Sequence, residues 1–114
     1  MGTIALARVY DPPPPDGRVF FVERLWPRGV RRDALRIDAW LKDAAPSTAL
    51  RQWFGHDPQR WPEFRERYFA ELDANPDAWR PIVATEPVTL LFSARDPEHN
   101  NAVALRDYVI ARTS

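Results

Sequence analysis

Two clusters of residues in this chain have the types and spacing to do chemistry. Glu23-Arg24-Leu25-Trp26-Pro27-Arg28-Gly29 sets arginines on either side of a tryptophan, and Ser93-Ala94-Arg95-Asp96-Pro97-Glu98-His99-Asn100-Asn101 joins an arginine, a histidine and a pair of amides. Guanidinium groups are planar forks that match phosphate or carboxylate oxygens two at a time, and an indole face suits a base, a sugar or another guanidinium. His99 can exchange a proton near neutral pH, and Asn100 and Asn101 can donate to a ligand oxygen. The implied chemistry is recognition of a small anion bearing phosphate or carboxylate. Arg24, Arg28 and Arg95 would hold its charge, Trp26 would stack, and His99 would serve as acid or base if a phosphoester is hydrolysed or transferred. Lys42 joins the ligand-binding candidates because every other basic residue is arginine, and a lone lysine can mark a place that needs a compact, deprotonatable amine. A structural reading stands beside each: the arginines can pair with Glu23, Asp38 or Asp96, and Trp26 can belong to the core.

These clusters need elements to bring them together. Val19-Phe20-Phe21-Val22 is an apolar run expected to form a strand reaching Leu25, and Val88-Thr89-Leu90-Leu91-Phe92 is a nearly all-apolar run expected to form a central one. If both lie parallel in one sheet, their carboxyl ends share the edge at which open α/β sheets hold ligands. Thr3 to Val9 reads as another strand, and the period of two over Arg36 to Lys42 as a further one. Between the first strands, Asp11-Pro12-Pro13-Pro14-Pro15-Asp16-Gly17 forbids regular structure and suggests a stiff excursion closed by an Asp-Gly turn.

Helical spacing begins at Ser47, an N-cap candidate, with Leu50, Trp53 and Phe54 on one stripe and Gly55 placed to end the helix in the left-handed region. Asp57-Pro58 opens the next, and Trp61, Phe64, Tyr68 and Leu72 form an apolar stripe whose main helix is expected from Pro62 to Leu72. Asn75-Pro76 offers another cap and start, with Pro81 limiting that helix, and Glu86-Pro87 breaks the chain before the central strand. Asp96-Pro97 is expected to open the last helix, which buries Ala102, Leu105, Tyr108 and Val109. Its free amides and dipole would then make an anion seat beside Arg95, although Asp96, as cap, would occupy part of that field. The fold expected is α/β: a small mixed or mainly parallel sheet of about four strands flanked by helices, one domain over residues 1–114.

Composition narrows the function classes. With 16 basic and 16 acidic residues the chain has no net charge, so bulk attraction to nucleic acid is not signalled; a nucleic-acid binder would have to use the same arginines with Arg31 and Arg32. A protein-interaction surface on the aromatic stretch from Trp53 to Tyr68 is the third class. No cysteine is present, which excludes disulfides and thiolate chemistry in this chain. His56 and His99 lie in different segments without metal-ligand spacing, and neither a Walker loop nor a glycine-rich dinucleotide turn occurs, so no metal or cofactor is expected. His56 reads as a corner residue between helices, and Ser93 lacks a nucleophile elbow. No signal-peptide core or membrane-spanning run is evident, and the expected location is the cytoplasm.

Three separated blocks, RLWPRG, DAWLKDAAPSTALRQWFGHDPQRWPEFRERY and VTLLFSARDPEHNNAVAL, resemble in order and spacing the YeaO-like branch of the domain of unknown function 488 family, over nearly the whole chain. The resemblance implies a small bacterial cytoplasmic α/β protein and assigns no activity. Broader members of the family often carry a cysteine near the strand end and a Cys-His-Arg run in the helix. This chain has Phe92-Ser93-Ala94 and His99-Asn100-Asn101 at those places, so a thiol-dependent mechanism does not carry over.

Overall fold

The central strand is fully buried, and the other elements are arranged around it. In the computed structural model, which describes residues 4–11, 17–84 and 87–113, the strands are β1 (Ile4–Arg8), β2 (Arg18–Phe21), β3 (Ala39–Trp40) and β4 (Val88–Phe92). They form one sheet in the order β1-β4-β2-β3 with every pairing parallel. Val88 is opposite both Ile4 and Arg18, and Leu91 is opposite both Ala7 and Phe21, so the strands flanking β4 are in step with it. The proline run at residues 12–15, with Asp16, and the break at Glu86 lie outside the described residues, as does Thr3.

Apolar residues on both faces of β2 and β4 imply cover on both sides, and the two covers differ in kind. On one face Phe20, Val22, Leu90 and Phe92 pack with Leu50, Phe54, Phe64, Tyr68, Leu105 and Tyr108. Those partners come from α1 (Thr48–Phe54), α2 (Trp61–Ala74) and α4 (Asn101–Thr113), with the short α3 (Arg80–Ala84) adding Ile82. On the other face Val19, Phe21 and Leu91 meet Val9 and Leu35, with Trp26, Val30, Ile37 and Trp40 packed against them. That second cover is an irregular segment containing a single 3-10 turn at Arg32–Ala34.

The local rules account for most boundaries. Ser47 caps α1 by accepting from the Leu50 amide at 3.2 Å, and Glu71 of α2 ties the cap down by accepting from the Ser47 amide at 2.8 Å and its hydroxyl at 2.6 Å. Gly55 ends the helix at φ 54°. Asp57 and Pro58 start a 3-10 turn at Pro58–Arg60 that runs into α2, so Pro62 falls in the first turn, where its missing donor breaks no intrahelical bond.

Three boundaries differ from expectation. Asn75 makes no side-chain cap, and Pro76–Ala78 is only a 3-10 turn, so Pro81 lies at the start of α3 and does not end a helix begun at Pro76. β2 leaves the ladder after Phe21, although the Val22 amide still donates to Leu91 at 3.2 Å. β3 is reduced to Ala39–Trp40, flanked by amides of Asp38 and Leu41 that donate to Val19 and Phe21 at 2.7 and 2.8 Å. Asp38 also turns its carboxylate onto the Val19 amide at 2.7 Å and lies 3.8 Å from Arg18, so its charge goes to the start of β2 and not to Arg24 or Arg28.

Candidate functional site

Because all the strands run the same way, the carboxyl ends of β2 and β4 open at one edge of the sheet, beneath the end of α1 and the start of α4. A cleft of about 740 Å³ lies there, a volume typical of small-molecule sites. It is lined by Glu23 and Arg24 after β2, by Arg51 and His56 from and after α1, and by the segment from Ser93 to Asn101 that leads into α4. Glu23 and Arg24 both reach this cleft because the strand alternation ends once the chain leaves the ladder. Of the expected site residues, Arg24, Arg95, His99 and Asn100 are brought together here.

Arg28 and Trp26 line a smaller hollow of about 280 Å³ that shares Glu23, Leu25, Arg51 and Ser93 with the main cleft. Trp26 belongs chiefly to the second core. Its ring sits edge-on to Phe21 and Trp40, each 5.2 Å away, its indole nitrogen donates to the Val30 carbonyl at 2.7 Å, and Arg32 covers it at 4.5 Å. Arg32 also lies 5.0 Å from Trp40, and Arg31 pairs with Asp33 at 3.2 Å, so both arginines of the nucleic-acid reading are engaged within the chain. Lys42 lines neither hollow; its ammonium rests over the Trp40 ring at 4.1 Å. The aromatic stretch from Trp53 to Tyr68 is largely consumed by packing: Phe64 and Tyr68 are buried, and Trp53 lies beneath Arg60 and Arg67.

The cationic groups of the cleft are held to different degrees. Arg24 donates to the carbonyls of Pro46 and Ala45 at 3.1 and 3.2 Å and lies 3.8 Å from Asp43, which fixes its guanidinium against the turn before α1. The guanidinium groups of Arg51, Arg95 and Arg28 make no hydrogen bond or close ion pair among the described residues.

The start of α4 departs from the expected Asp96-Pro97 opening. Asp96 does act as a turn cap, accepting from the amides of Glu98 and His99 at 2.9 and 3.1 Å, but the helix begins only at Asn101. Asn100 is its cap: the side-chain oxygen accepts from Val103 at 3.0 Å while the amide group donates to the Asp96 carbonyl at 2.9 Å. With 2 % of its surface exposed, Asn100 is committed to the backbone. Asn101 donates to the Val22 carbonyl at 2.6 Å, tying α4 to the end of β2.

His99 is oriented by Asp96, whose carboxylate lies 2.9 Å from Nδ1, and by the Trp61 ring, which it meets edge-on at 5.3 Å. The amide of Glu98, followed by the His99 side chain, holds the Asp96 carboxyl below the ordinary aspartate range. Asp96 is therefore an acceptor already spoken for, while His99 itself lines the cleft.

Sequence reasoning missed the centre of the site. Glu23 was an ion-pair partner for arginine in that reading. In the structure its carboxylate accepts from the Ser93 hydroxyl at 2.8 Å, and its backbone carbonyl accepts from the Trp40 indole at 2.6 Å. Burial pushes its pKa up, opposed by the Ser93 hydrogen bond, the charge of Arg51, that of His56 and the amide of Asn101. The available signal was an acidic residue directly after four buried apolar ones, which is a charge delivered to the end of an interior strand. His56, which lines the cleft as well, is held at φ 58°, a left-handed conformation uncommon for a residue with a Cβ.

A raised folded pKa means that the folded protein binds the proton more tightly than the unfolded chain does. The contribution of Glu23 is thus fully present below its ordinary value of 4.5 and is lost as pH rises through the folded value. Glu23→Gln keeps an acceptor for Ser93 but cannot ionise. It is expected to melt at a higher temperature than the wild type at neutral pH, with the gap closing as pH falls below that ordinary value. Melting curves across the acid range check this, and a Glu23→Gln protein less stable at neutral pH would show that the carboxylate supports the fold.

Among the described residues no group of three or more histidine, cysteine or acidic side chains is arranged to hold a metal, and no helix is long and apolar enough to cross a membrane. No solved structure matches the chain. A protein of Escherichia coli K12 called uncharacterized protein YeaO is 39% identical over 110 residues, covering 93% of this chain and 96% of that one. Uncharacterized proteins of Mycobacterium tuberculosis H37Rv and Mycobacterium bovis are each 38% identical over 112 residues, covering 96% of this chain and 95% of theirs. The chain matches the DUF488-N3i family, described as the inactive DUF488-N3 subclade, over residues 3–114, and it belongs to that family.

Proposed function

We propose that this chain is a cytoplasmic binding protein for a small anion bearing phosphate or carboxylate, held in the cleft at the carboxyl edge of the sheet. The observation that carries the reading is convergence: Arg24, Arg51 and Arg95 come from three separate segments and line one cavity with His56 and His99. Guanidinium groups in a partly enclosed site attract an oxyanion more strongly than the same groups dispersed over a surface, because less water screens them. Arg51 and Arg95 are the members without a close partner among the described residues, so a ligand has most to gain from them.

Binding without turnover is favoured by the description of the subclade as inactive and by the lack of any cysteine. One observation supports hydrolysis or transfer as a second reading: the Ser93 hydroxyl donates to a carboxylate whose pKa burial has raised, the pairing a general base needs. Both readings are tested together. Inorganic phosphate, pyrophosphate and citrate are expected to raise the melting temperature at low ionic strength, by an amount equivalent to about 2.7 kcal/mol at a hundredfold excess over Kd. Arg51→Ala with Arg95→Ala should abolish that rise while leaving the unliganded protein folded. Phosphate release from an aryl phosphate monoester is expected to be absent, and release that disappears in Ser93→Ala would establish the second reading. If the double variant is stabilised by anions as strongly as the wild type, the cleft is not their site.

A further inference from the structure

We propose that Glu23 makes the cleft selective for oxyanions that still carry a proton, such as hydrogen phosphate and singly ionised phosphate monoesters, over fully ionised ones such as sulfate. The proposal rests on the anion-binding reading and adds a specificity residue to it. Glu23 lines both the main cleft and the adjoining hollow, as do Arg51, Ser93 and Leu25, so an anion drawn in by the guanidiniums arrives against a carboxylate. Two oxyanions in contact repel unless a proton lies between them.

The neighbour of that carboxylate sharpens the requirement. Ser93 has one hydroxyl proton, and it is given to Glu23 Oε2 at 2.8 Å. What Ser93 offers a ligand is lone pairs. The middle of the cleft is therefore rich in acceptors while its walls are cationic, which fits a ligand that is negative overall yet donates one hydrogen bond. A hydrogen phosphate does both; sulfate at neutral pH only accepts. A metal ion would be the other natural guest for a carboxylate, but no ligating group of three surrounds Glu23 among the described residues.

Groups facing Glu23 come from every side. Ser93 hydrogen-bonds it, Arg51, His56 and the Asn101 amide favour its charge, and that charge is felt by the buried Tyr68 hydroxyl of α2. Arg24, Arg95, Asp96 and His99 line the same space. Protonation of His56 or His99 would raise the affinity for phosphate and sulfate alike, so the ratio of the two affinities, and neither alone, reports on Glu23.

The test is calorimetric titration of the intact protein with inorganic phosphate and with sulfate at matched ionic strength. Near pH 6.5 phosphate should bind at least about tenfold more tightly, since sulfate places two like charges in contact with no proton between them. The preference should persist near pH 9, where hydrogen phosphate still carries a proton, whereas methyl phosphate, which has lost its last proton by then, should bind no more tightly than sulfate. Glu23→Gln, whose amide can donate to a fully ionised anion, should tighten sulfate binding by about tenfold and bring the ratio toward one at both pH values. Equal affinities for the two anions in the wild type, or an unchanged ratio in Glu23→Gln, would overturn the selectivity while leaving anion binding in place. Failure of both anions to bind would remove both readings. The wild-type ratio needs no variant, so the test survives even if Glu23→Gln folds poorly.

Discussion

Phe64→Ala is expected to destabilise the protein by about 3–5 kcal/mol, the usual cost of deleting a buried aromatic ring. Phe64 is 2 % exposed and sits at the centre of an aromatic cluster: Phe54 stacks on it at 4.4 Å, Trp61 at 5.5 Å, and Tyr68 lies tilted at 5.8 Å. Removing the ring opens a cavity between α1 and α2 and breaks favourable ring contacts worth about 0.5–1.5 kcal/mol beyond their area. Tyr68 cannot swing in to fill it without giving up the hydrogen bond from its hydroxyl to the Ala44 carbonyl. A domain of this size is stable by only about 5–15 kcal/mol, so the variant should sit near the margin. Urea denaturation is the measurement, with a lower midpoint and an unchanged slope as the expected result. A loss under about 1 kcal/mol would mean that these rings are not packed as a unit. The site would feel the change too, because Phe64 lines the cleft and α1 carries Arg51.

How far the sequence foretold this arrangement depends on whether a feature is local. Ser47 and Gly55 announce α1 through side-chain chemistry that acts within a few residues, and the structure places the cap and the left-handed residue there. The unbroken apolar run of β4 announces a strand buried on both faces. The start of α4 failed because two caps compete. Asp96-Pro97 has the form of a helix opening, but its carboxylate closes a turn, and Asn100, buried and four residues later, does the capping. The cover of the second face is hard to read from the sequence for a different reason. Trp26, Val30, Leu35, Ile37 and Trp40 have no helical period because they pack individually from an irregular chain, and periodicity is silent about such layers.

The site divides along the same line. Arg24, Arg95 and His99 could be grouped from the sequence because parallel strand ends share an edge, a rule that needs only the strands and their direction. Arg51 could not, since where α1 lies across that edge is a tertiary matter that its own turn does not encode. Trp26, set between arginines, can be read from the sequence as a stacking face or as core, and its ring is claimed by Phe21, Trp40 and Arg32. Lys42 was singled out by rarity alone, and composition carries no spatial information. The structure seats it on Trp40, away from the cleft.

Gly17→Ala should be damaging at a distance from the cleft, and the reason runs through the register of the sheet. Gly17 has φ 85°, and a Cβ there would stand 2.3 Å from the Pro87 carbonyl oxygen and 2.8 Å from its carbon. The left-handed conformation alone costs a residue with a Cβ about 1–2 kcal/mol. The steric conflict adds to that, because the obstacle is backbone and cannot rotate away. Relief requires β2 and β4 to separate where the Arg18 amide donates to that same carbonyl at 3.0 Å. A loss of about 3 kcal/mol or more is expected from strain and lost pairing together. The same two strands deliver Glu23 and Ser93 to the cleft, and the 2.8 Å bond between those side chains depends on the strands staying in step. Where the variant remains folded, it should therefore bind inorganic phosphate more weakly than the wild type although no cleft residue has changed. Undiminished affinity in a destabilised Gly17→Ala protein would show that the far ends of the strands are positioned by α1 and α4 and not by their pairing.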